Sequence, residues 1–306
     1  MQRRFLDYVV ITLKGIAMGA ADAVPGVSGG TIAFISGIYE ELINTISGVN
    51  ISLFRTLKNN GVTAFWKQCN GNFIIALLSG ILISYVSFMR LAKYLIEHHP
   101  ILIWSFFFGL IVASIYFVGK QIKRWNLAVL ISLVLGTYAA YYITNLPSMA
   151  SNEHPLFLFF AGALAICAMI LPGISGSFIL VVLGAYKTLS DALHDFDLKK
   201  VALFALGALV GLLSFSHILK WLFRHYHNIT LALLTGFIFG SLNKIWPWKV
   251  VLSWRENAAG KNVPLLERSI LPSNYDGNPQ LVYAIGLMVI GFLTIFILEK
   301  IGSKKV

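Results

Sequence analysis

The sequence predicts an all-α polytopic membrane protein made of two inverted repeats, each a re-entrant helical hairpin followed by three transmembrane helices. Hydrophobic residues make up 57% of the 306 residues and charged residues only 12%, about half the charged share of a soluble domain. Long apolar segments recur along the chain, and two of them carry related Pro-Gly interruptions. A soluble fold of this size could not hide so much apolar surface, so the composition excludes a cytosolic enzyme, a nucleic-acid-binding domain and a disordered protein.

The first half, residues 1–148, begins with an apolar segment at 8–46 that the motif PGVSGG interrupts at 25–30. Pro-Gly ends a helix, and the small residues after it let a new helix begin, so we expect two helical arms joined by a break. A polar loop at 47–71 follows. Three apolar segments of spanning length then follow, at 73–89, 101–118 and 127–143.

The second half, residues 149–306, repeats this order. The motif PGISGS at 172–177 interrupts an apolar segment at 156–193. Three further spans follow, at 201–219, 229–246 and 281–298, with an extended loop expected at 247–280 between the last two.

The two halves match each other in sequence at two fixed shifts. A shift of 147 residues superposes the two Pro-Gly motifs, and a shift of 127 applies after the loop 47–71, which has no counterpart in the second half. A shared order of two matched blocks indicates an internal duplication. The matched pairs include Pro25 with Pro172, Ser28 with Ser175, Gly37 with Gly184, Tyr39 with Tyr186, Gly80 with Gly207, Lys93 with Lys220 and Gly109 with Gly236.

The number of spans predicts the orientation of the repeats. Each half carries an odd number, so the second half must enter the membrane inverted, as in many transporters. Fourteen basic residues then fall on one side and ten on the other, and the short loop 119–125 holds three of the fourteen. Because basic residues favour the cytoplasmic side, we expect both termini there.

The two breaks are expected to turn inside the membrane. Both lack charge and polar bulk, unlike a surface turn. An arm of ~15 residues covers ~22 Å, which reaches the middle of a ~30 Å hydrocarbon core. The alternative, in which both arms cross fully, gives five spans per half and stays open because that number is odd as well.

The breaks are candidate anion sites. The first turn after each break exposes unpaired N–H groups and the positive end of a helix dipole, glycines let a ligand approach, and hydroxyls donate hydrogen bonds, which suits a phosphate or carboxylate. The alternative is that small residues only permit tight helix packing. The candidate phosphate-binding residues at the breaks are Gly26, Ser28, Gly29, Gly30, Thr31, Gly173, Ser175, Gly176 and Ser177.

Several ionisable residues accompany the breaks. Asp22 is expected either to bind a coupling H⁺ or Na⁺ or to cap the next helix, and Glu40 and Glu41 are candidates for coupling or for an interfacial position. Basic residues at span ends either collect a phosphate headgroup or extend to lipid headgroups. They are Arg90, Lys93, His217 and Lys220. The histidines lack metal-ligand spacing, so no metal site is expected.

Two stretches carry a resemblance to a known family. KGIAMGAADAVPGVSGGTIAFISGIYEELI at 14–43 and AICAMILPGISGSFILVVLGAY at 165–186 resemble the polyprenyl-phosphate transporter family, PopT, formerly a membrane family of unknown function. The resemblance covers nearly the whole chain. It implies a bacterial cytoplasmic-membrane protein that returns undecaprenyl phosphate, the lipid carrier of cell-wall synthesis, from the outer to the inner leaflet.

This resemblance suits a flippase that works by alternating access, with the phosphate held at the two breaks. Expected partners are the polyprenyl phosphate, membrane lipids and a coupling H⁺ or Na⁺, with no nucleic acid and no cofactor; monomer and homodimer both stay open. The chain lacks the GxxxxGK[ST] nucleotide-binding loop, so an ion gradient or the membrane potential must drive any net movement.

Two other functions compete with lipid transport. The breaks also resemble the PGxSRS motif of undecaprenyl-pyrophosphate phosphatases, but Gly29 and Gly176 stand where the phosphoryl-stabilising arginine would be needed. Hydrolysis is therefore disfavoured, and the chain is expected not to be an enzyme. A secondary transporter of a small soluble anion would use the same helix ends in an enclosed cavity.

Overall fold

The computed structural model describes residues 3–24, 27–149, 154–256 and 262–303. Within these ranges the chain forms fourteen α-helices, two strands and one 3-10 turn. The helices are α1 Phe5–Asp22, α2 Gly29–Ile35, α3 Tyr39–Ser47, α4 Ile51–Gln68, α5 Gly71–His98, α6 Pro100–Gly119, α7 Leu127–Thr144, α8 Pro155–Ile170, α9 Gly176–Val182, α10 Ala185–His194, α11 Leu198–His225, α12 His227–Gly240, α13 Leu242–Ile245 and α14 Leu281–Ser303.

The helices confirm a multi-pass membrane protein. Five helical segments are long and apolar enough to cross a bilayer, namely α5, α6, α7, α11 and α12 continued into α13, or six if the bent pair α9 and α10 counts as one span. The sixth predicted span lies in α14, whose apolar stretch Leu281–Ile297 is shorter than the five membrane-length segments. Helices α5 and α11 have 28 residues each, about 42 Å at the α-helical rise, so they are longer than the spans predicted within them.

Two segments that were predicted as loops have regular structure. The predicted polar loop at 47–71 is mostly helix α4, which Asn50 caps by accepting from the N–H of Ser52 at 2.9 Å and which kinks at Gly61 (φ 78°). Its polar composition is that of a solvent-facing helix, which hydropathy alone does not distinguish from a loop.

The all-α prediction is wrong for the segment before α14. Strands β1 Lys249–Glu256 and β2 Asn262–Ser269 form an antiparallel hairpin in which Lys249 pairs with Ser269 and Trp254 with Pro264. β1 contains two valines and a tryptophan, residue types that are enriched in strands. A 3-10 turn at Pro272–Asn274 leads on to α14.

Glycines bring the long helices into close contact. α1 packs against α5 and α8 against α11, while α7 packs against α12 and α14 against α6. A Cβ on Gly80 would collide with the carbonyl of Thr12, and one on Gly207 with that of Phe159; Gly109 and Gly236 meet carbonyls of α14 and α7 in the same way. Glycines that the sequence match pairs therefore occupy corresponding contacts, as small residues do at membrane helix interfaces.

Each predicted hairpin contains three helices rather than two arms. α1, α2 and α3 form the first and α8, α9 and α10 the second. The expectation of one continuous arm of ~15 residues after each break is wrong, because Gly37 (φ 74°) and Gly184 (φ 70°) adopt the left-handed conformation that ends a helix. α10 turns away from α9 by 108°.

Candidate functional site

The first break (residues 23–28, between α1 and α2) and the second break (residues 171–175, between α8 and α9) contact each other. The N–H of Gly173 donates to Oγ1 of Thr31 at 3.0 Å, and Oγ of Ser28 donates to the carbonyl of Leu171 at 3.3 Å. Ser28 and Thr31 are 1% and 0% exposed. The fold thus brings together candidate residues that lie more than 140 positions apart.

At the first break, nearby side chains accept hydrogen bonds from the first N–H groups of α2. The N–H of Gly29 donates to Oδ1 of Asp22 at 2.7 Å, and the N–H of Gly30 donates to Oγ of Ser28 at 3.1 Å. The N–H of Thr31 donates to the carbonyl of Ser28 at 3.0 Å. The expectation of unpaired N–H groups is therefore wrong for α2, because the Asp22 carboxylate lies where an anion would bind. Gly26 lies outside the described residues.

The second break differs from the first at its helix start. Ser175 is at the N-cap position of α9 but makes no capping bond; its hydroxyl instead shares a hydrogen bond of 2.8 Å with that of Ser177, which is exposed. Met169 occupies the position that matches Asp22, so the second half has no carboxylate at the residue that caps α2 in the first half. Gly176 is buried against the carbonyl of Ala165. The second break therefore presents two hydroxyls beside a helix start that has no acidic cap.

Backbone packing fixes the second break in place. Gly173 (φ 89°) lies so close to α12 that a Cβ would come within 2.8 Å of the carbonyl of Phe237. A side chain at this position would be strained by both the dihedral and the contact. The break is therefore held between Thr31 on one side and α12 on the other.

The predicted basic residues do not converge on the breaks. Arg90 and Lys93 are exposed on α5, and His217 is exposed on α11 with Nδ1 2.7 Å from the carbonyl of Leu213 in its own helix. Lys220 instead lines a cavity of about 80 Å³ between α3 and α11, together with Glu40, Ile43, Asn44, Phe223 and Arg224.

The predicted carboxylates after the first break have partners. Glu41 accepts from both terminal nitrogens of Arg3, at 2.7 and 2.6 Å, and from Asn70 at 2.8 Å. Glu40 lies 3.2 Å from Nε2 of His227, which begins α12. Both contacts tie α3 to neighbouring segments of the same end of the bundle.

The two halves differ in how deeply a pair of matched tyrosines is buried. Phe34 and Tyr39 pack on Phe223 of α11, with ring centroids 6.4 and 6.0 Å away, and Tyr39 is 2% exposed. The residue that matches Tyr39 in the second half, Tyr186, is 37% exposed. The bundle is thus closed where α3 meets α11 and more open at the corresponding place beside α10.

Two lysines beside Glu267, one of them close to α9, were missed from the sequence. Nζ of Lys244 lies 5.2 Å from the ring centroid of Phe178 in the first turn of α9, and 3.5 Å from Oε2 of Glu267. Nζ of Lys249 lies 3.6 Å from the same oxygen and 4.2 Å from the ring centroid of Trp104. In sequence Lys244 falls near the end of the predicted span 229–246 and Lys249 in the segment after it, and only the fold brings both ammonium groups to Glu267.

In the described ranges no group of three or more histidine, cysteine, aspartate or glutamate side chains could hold a metal ion. The geometry offers a pair of breaks in mutual contact, one capped by an acidic side chain and one without such a cap, and Lys244 lies close to α9 after the second. Such an arrangement can hold a phosphate or carboxylate within an apolar bundle.

Comparisons with known proteins identify relatives of the chain. The model of the VCA0040-like family, described as undecaprenyl phosphate translocase-like, matches residues 18–263. The polyprenyl-phosphate transporter of Vibrio cholerae serotype O1 is 45% identical over 308 residues, covering 99% of this chain and 100% of that protein. The polyprenyl-phosphate transporter of Staphylococcus aureus is 33% identical over 256 residues, covering 77% and 85%. No solved structure matches the chain.

Proposed function

The chain belongs to the undecaprenyl phosphate translocase-like family, and on that premise we propose that it translocates undecaprenyl phosphate from the outer to the inner leaflet of a bacterial cytoplasmic membrane. This movement would return the lipid carrier to cell-wall synthesis. The observation that carries the proposal is the contact between the two breaks inside an apolar bundle, with the hydroxyls of Ser175 and Ser177 left at an uncapped helix start.

A phosphate cannot pass through hydrocarbon without polar partners, because an unpaired charge there costs many kcal/mol. The second break offers such partners. The first break holds the second break in position through the hydrogen bonds of Thr31 and Ser28. We therefore assign phosphate contact to Ser175, Gly176 and Ser177, and a supporting role to the first break. The polyprenyl tail would stay in lipid beside the bundle.

The repeat architecture supports a mechanism of alternating access. Corresponding glycines make corresponding helix contacts in the two halves, as expected for inverted repeats at 1–148 and 149–306. The sharp bend between α9 and α10 suits a hairpin that turns back within the membrane. Closure at Tyr39 and exposure at Tyr186 suit a state that is open at the second break. Under the predicted topology, with both termini cytoplasmic, this is the outer side.

Coupling to an ion gradient would require a group that is free to exchange a proton or Na⁺. Asp22 caps α2 and Glu41 is held by Arg3, so both already have structural roles. Glu40 and His227 form a pair at the closed end of the bundle, and we assign proton coupling to this pair.

Transport rather than hydrolysis fits the relatives, which are named transporters. The arginine that phosphoryl transfer would need has no counterpart at either break, where Gly29 and Gly176 stand instead. The competing function, transport of a small soluble anion, would require a cavity that is enclosed by protein. Transport of a lipid instead requires a site with a lateral opening, so that the tail can stay in the bilayer.

The function is tested with the purified full-length chain in liposomes that contain undecaprenyl phosphate. We expect the protein to accelerate the change in leaflet exposure of the lipid phosphate, and the double variant Ser175→Ala with Ser177→Ala to slow it about tenfold or more. Ser114→Ala is the matched control, since that hydroxyl bonds only within its own helix in the described structure. Lipid exposure unaffected by the wild-type protein, or phosphate release from the pyrophosphate lipid, would overturn the proposal.

A further inference from the structure

Two lysines share one carboxylate at the hairpin end of the bundle, the end where β1 and β2 lie. Oε2 of Glu267 in β2 is 3.5 Å from Nζ of Lys244 and 3.6 Å from Nζ of Lys249. Lys249 also donates to the carbonyl of Lys244 at 2.7 Å. The three side chains together, which we term the lysine pair and its carboxylate, carry one positive charge in excess.

This excess charge is largely withdrawn from solvent. The side chains of Lys244, Lys249 and Glu267 are 23%, 8% and 22% exposed. Burial, together with the neighbouring Lys244, lowers the pKa of Lys249 to about 8. The face of Trp104 offsets part of the cost through a cation–π contact. A buried excess of positive charge is costly in isolation and favours an anionic partner.

Hydrogen bonds hold the pair in a fixed position. Oγ of Ser269 donates to Asn243, which precedes Lys244, and Asn243 donates to Oδ1 of Asn145 at 3.2 Å. Trp248 is buried and donates to the carbonyl of Pro279 at 2.9 Å. The hairpin is thus anchored to the helices, and the side chains of the two lysines lose little conformational freedom when they bind a ligand.

Lys244 lies beside the helix that follows the second break. Nζ of Lys244 is 5.2 Å from the ring centroid of Phe178, which directly follows Ser177 in α9. Its contact with Glu267, at 3.5 Å, is longer than a well-formed charge-assisted hydrogen bond. Lys244 can therefore move from Glu267 toward an anion at the second break, while Lys249 continues to neutralise the carboxylate.

We propose that Lys244 is a specificity-determining residue that contacts the lipid phosphate at the second break and favours a phosphate monoester over a diester. This inference rests on the proposed function. A monoester carries about 1.5 to 2 negative charges near neutral pH, whereas a diester carries one. An added cation therefore strengthens binding of the monoester more than that of the diester.

The test measures binding of a short-chain polyprenyl monophosphate, and of its methyl diester, to the full-length protein in detergent. Lys244→Gln should weaken monoester binding about tenfold or more and diester binding less, because it removes a charge-assisted contact. Lys244→Arg should restore most of the monoester affinity. Lys199→Gln is the matched control: Lys199 is exposed in the first turn of α11, at the same end of the bundle, and its removal should change binding less than twofold.

Each outcome bears on the inference. The inference would be overturned if Lys244→Gln lost equal affinity for the monoester and the diester, or lost no more affinity than Lys199→Gln. Thermal unfolding shows whether Lys244→Gln is folded; if it is not, the neutral variant Lys244→Met replaces it, and a monoester-to-diester affinity ratio equal to that of the wild type would count against the contact. Failure of the wild-type protein to move the lipid in liposomes would instead refute the proposed function.

Discussion

The capping of α2 by Asp22 gives a prediction whose size follows from the structure. Oδ1 of Asp22 accepts the N–H of Gly29 at 2.7 Å, in a segment that is largely buried. Loss of a side-chain helix cap costs about 0.5–2 kcal/mol. Asp22→Ala leaves the Gly29 N–H without this acceptor and should therefore lower stability by about 1–2 kcal/mol. Asp22→Asn keeps an oxygen at the same position and should cost less than about half of that.

The two variants are compared by thermal unfolding in detergent. For a chain of this size 1 kcal/mol corresponds to roughly 2–4 °C in Tm, so Asp22→Ala should unfold about 2–8 °C below the wild type. Asp22→Asn should stay within about 3 °C of the wild type. Equal losses for the two variants would refute capping as the role of Asp22, because they would show that the charge and not the acceptor stabilises the segment.

The same pair separates capping from ion coupling. Asp22→Asn removes the charge that a coupling ion would need but retains the cap, so we expect it to transport lipid in liposomes and to keep its response to an imposed gradient. Loss of that response in folded Asp22→Asn would transfer the coupling role from Glu40 and His227 to Asp22.

Three further predictions concern packing and charge. Gly109→Ala puts a Cβ against the carbonyl of Met288 and should cost about 1–3 kcal/mol in thermal unfolding, whereas Gly286→Ala, which would meet no atom within 4 Å, should not. The pKa of Lys249 is about 8, below its ordinary value of 10.5, so the unfolded chain binds more protons between these values; Tm should rise with pH from 8 to 10, and Lys249→Met should remove that rise. The hydroxyl of Tyr39 has no hydrogen-bond partner in the described structure, so Tyr39→Phe should raise Tm slightly.

Most of the transmembrane architecture was predictable because it depends on local composition. Spans follow from stretches of apolar residues, and the breaks follow from Pro-Gly, which acts on the backbone at its own position. The matched positions of Gly80 and Gly207 could also be found in sequence, since close helix contacts need glycine whatever their partner.

The remaining features depend on distant parts of the chain. Gly37 and Gly184 were matched in sequence, but a single glycine in an apolar segment is compatible with a continuous helix, so the second bend of each hairpin was missed. The hairpin of β1 and β2 was taken for a loop, and nothing local shows that Lys249 lies on Trp104. The sequence does carry one signal of asymmetry, the replacement of Asp22 by Met169, whose consequence depends on the fold.

That replacement gives the two breaks opposite chemistry within one architecture. A phosphate at the second break would meet hydroxyls and a nearby ammonium group, while a phosphate at the first break would meet the carboxylate of Asp22. Like charges repel strongly where water is excluded, so the first break disfavours an anion that the second break accepts. In a protein that alternates between two openings, binding is then favoured on the side of the second break and release on the side of the first. Under the proposed function and the predicted topology, this polarity would favour loading of the lipid from the outer leaflet and its release toward the inner leaflet, even though the repeats share their motif.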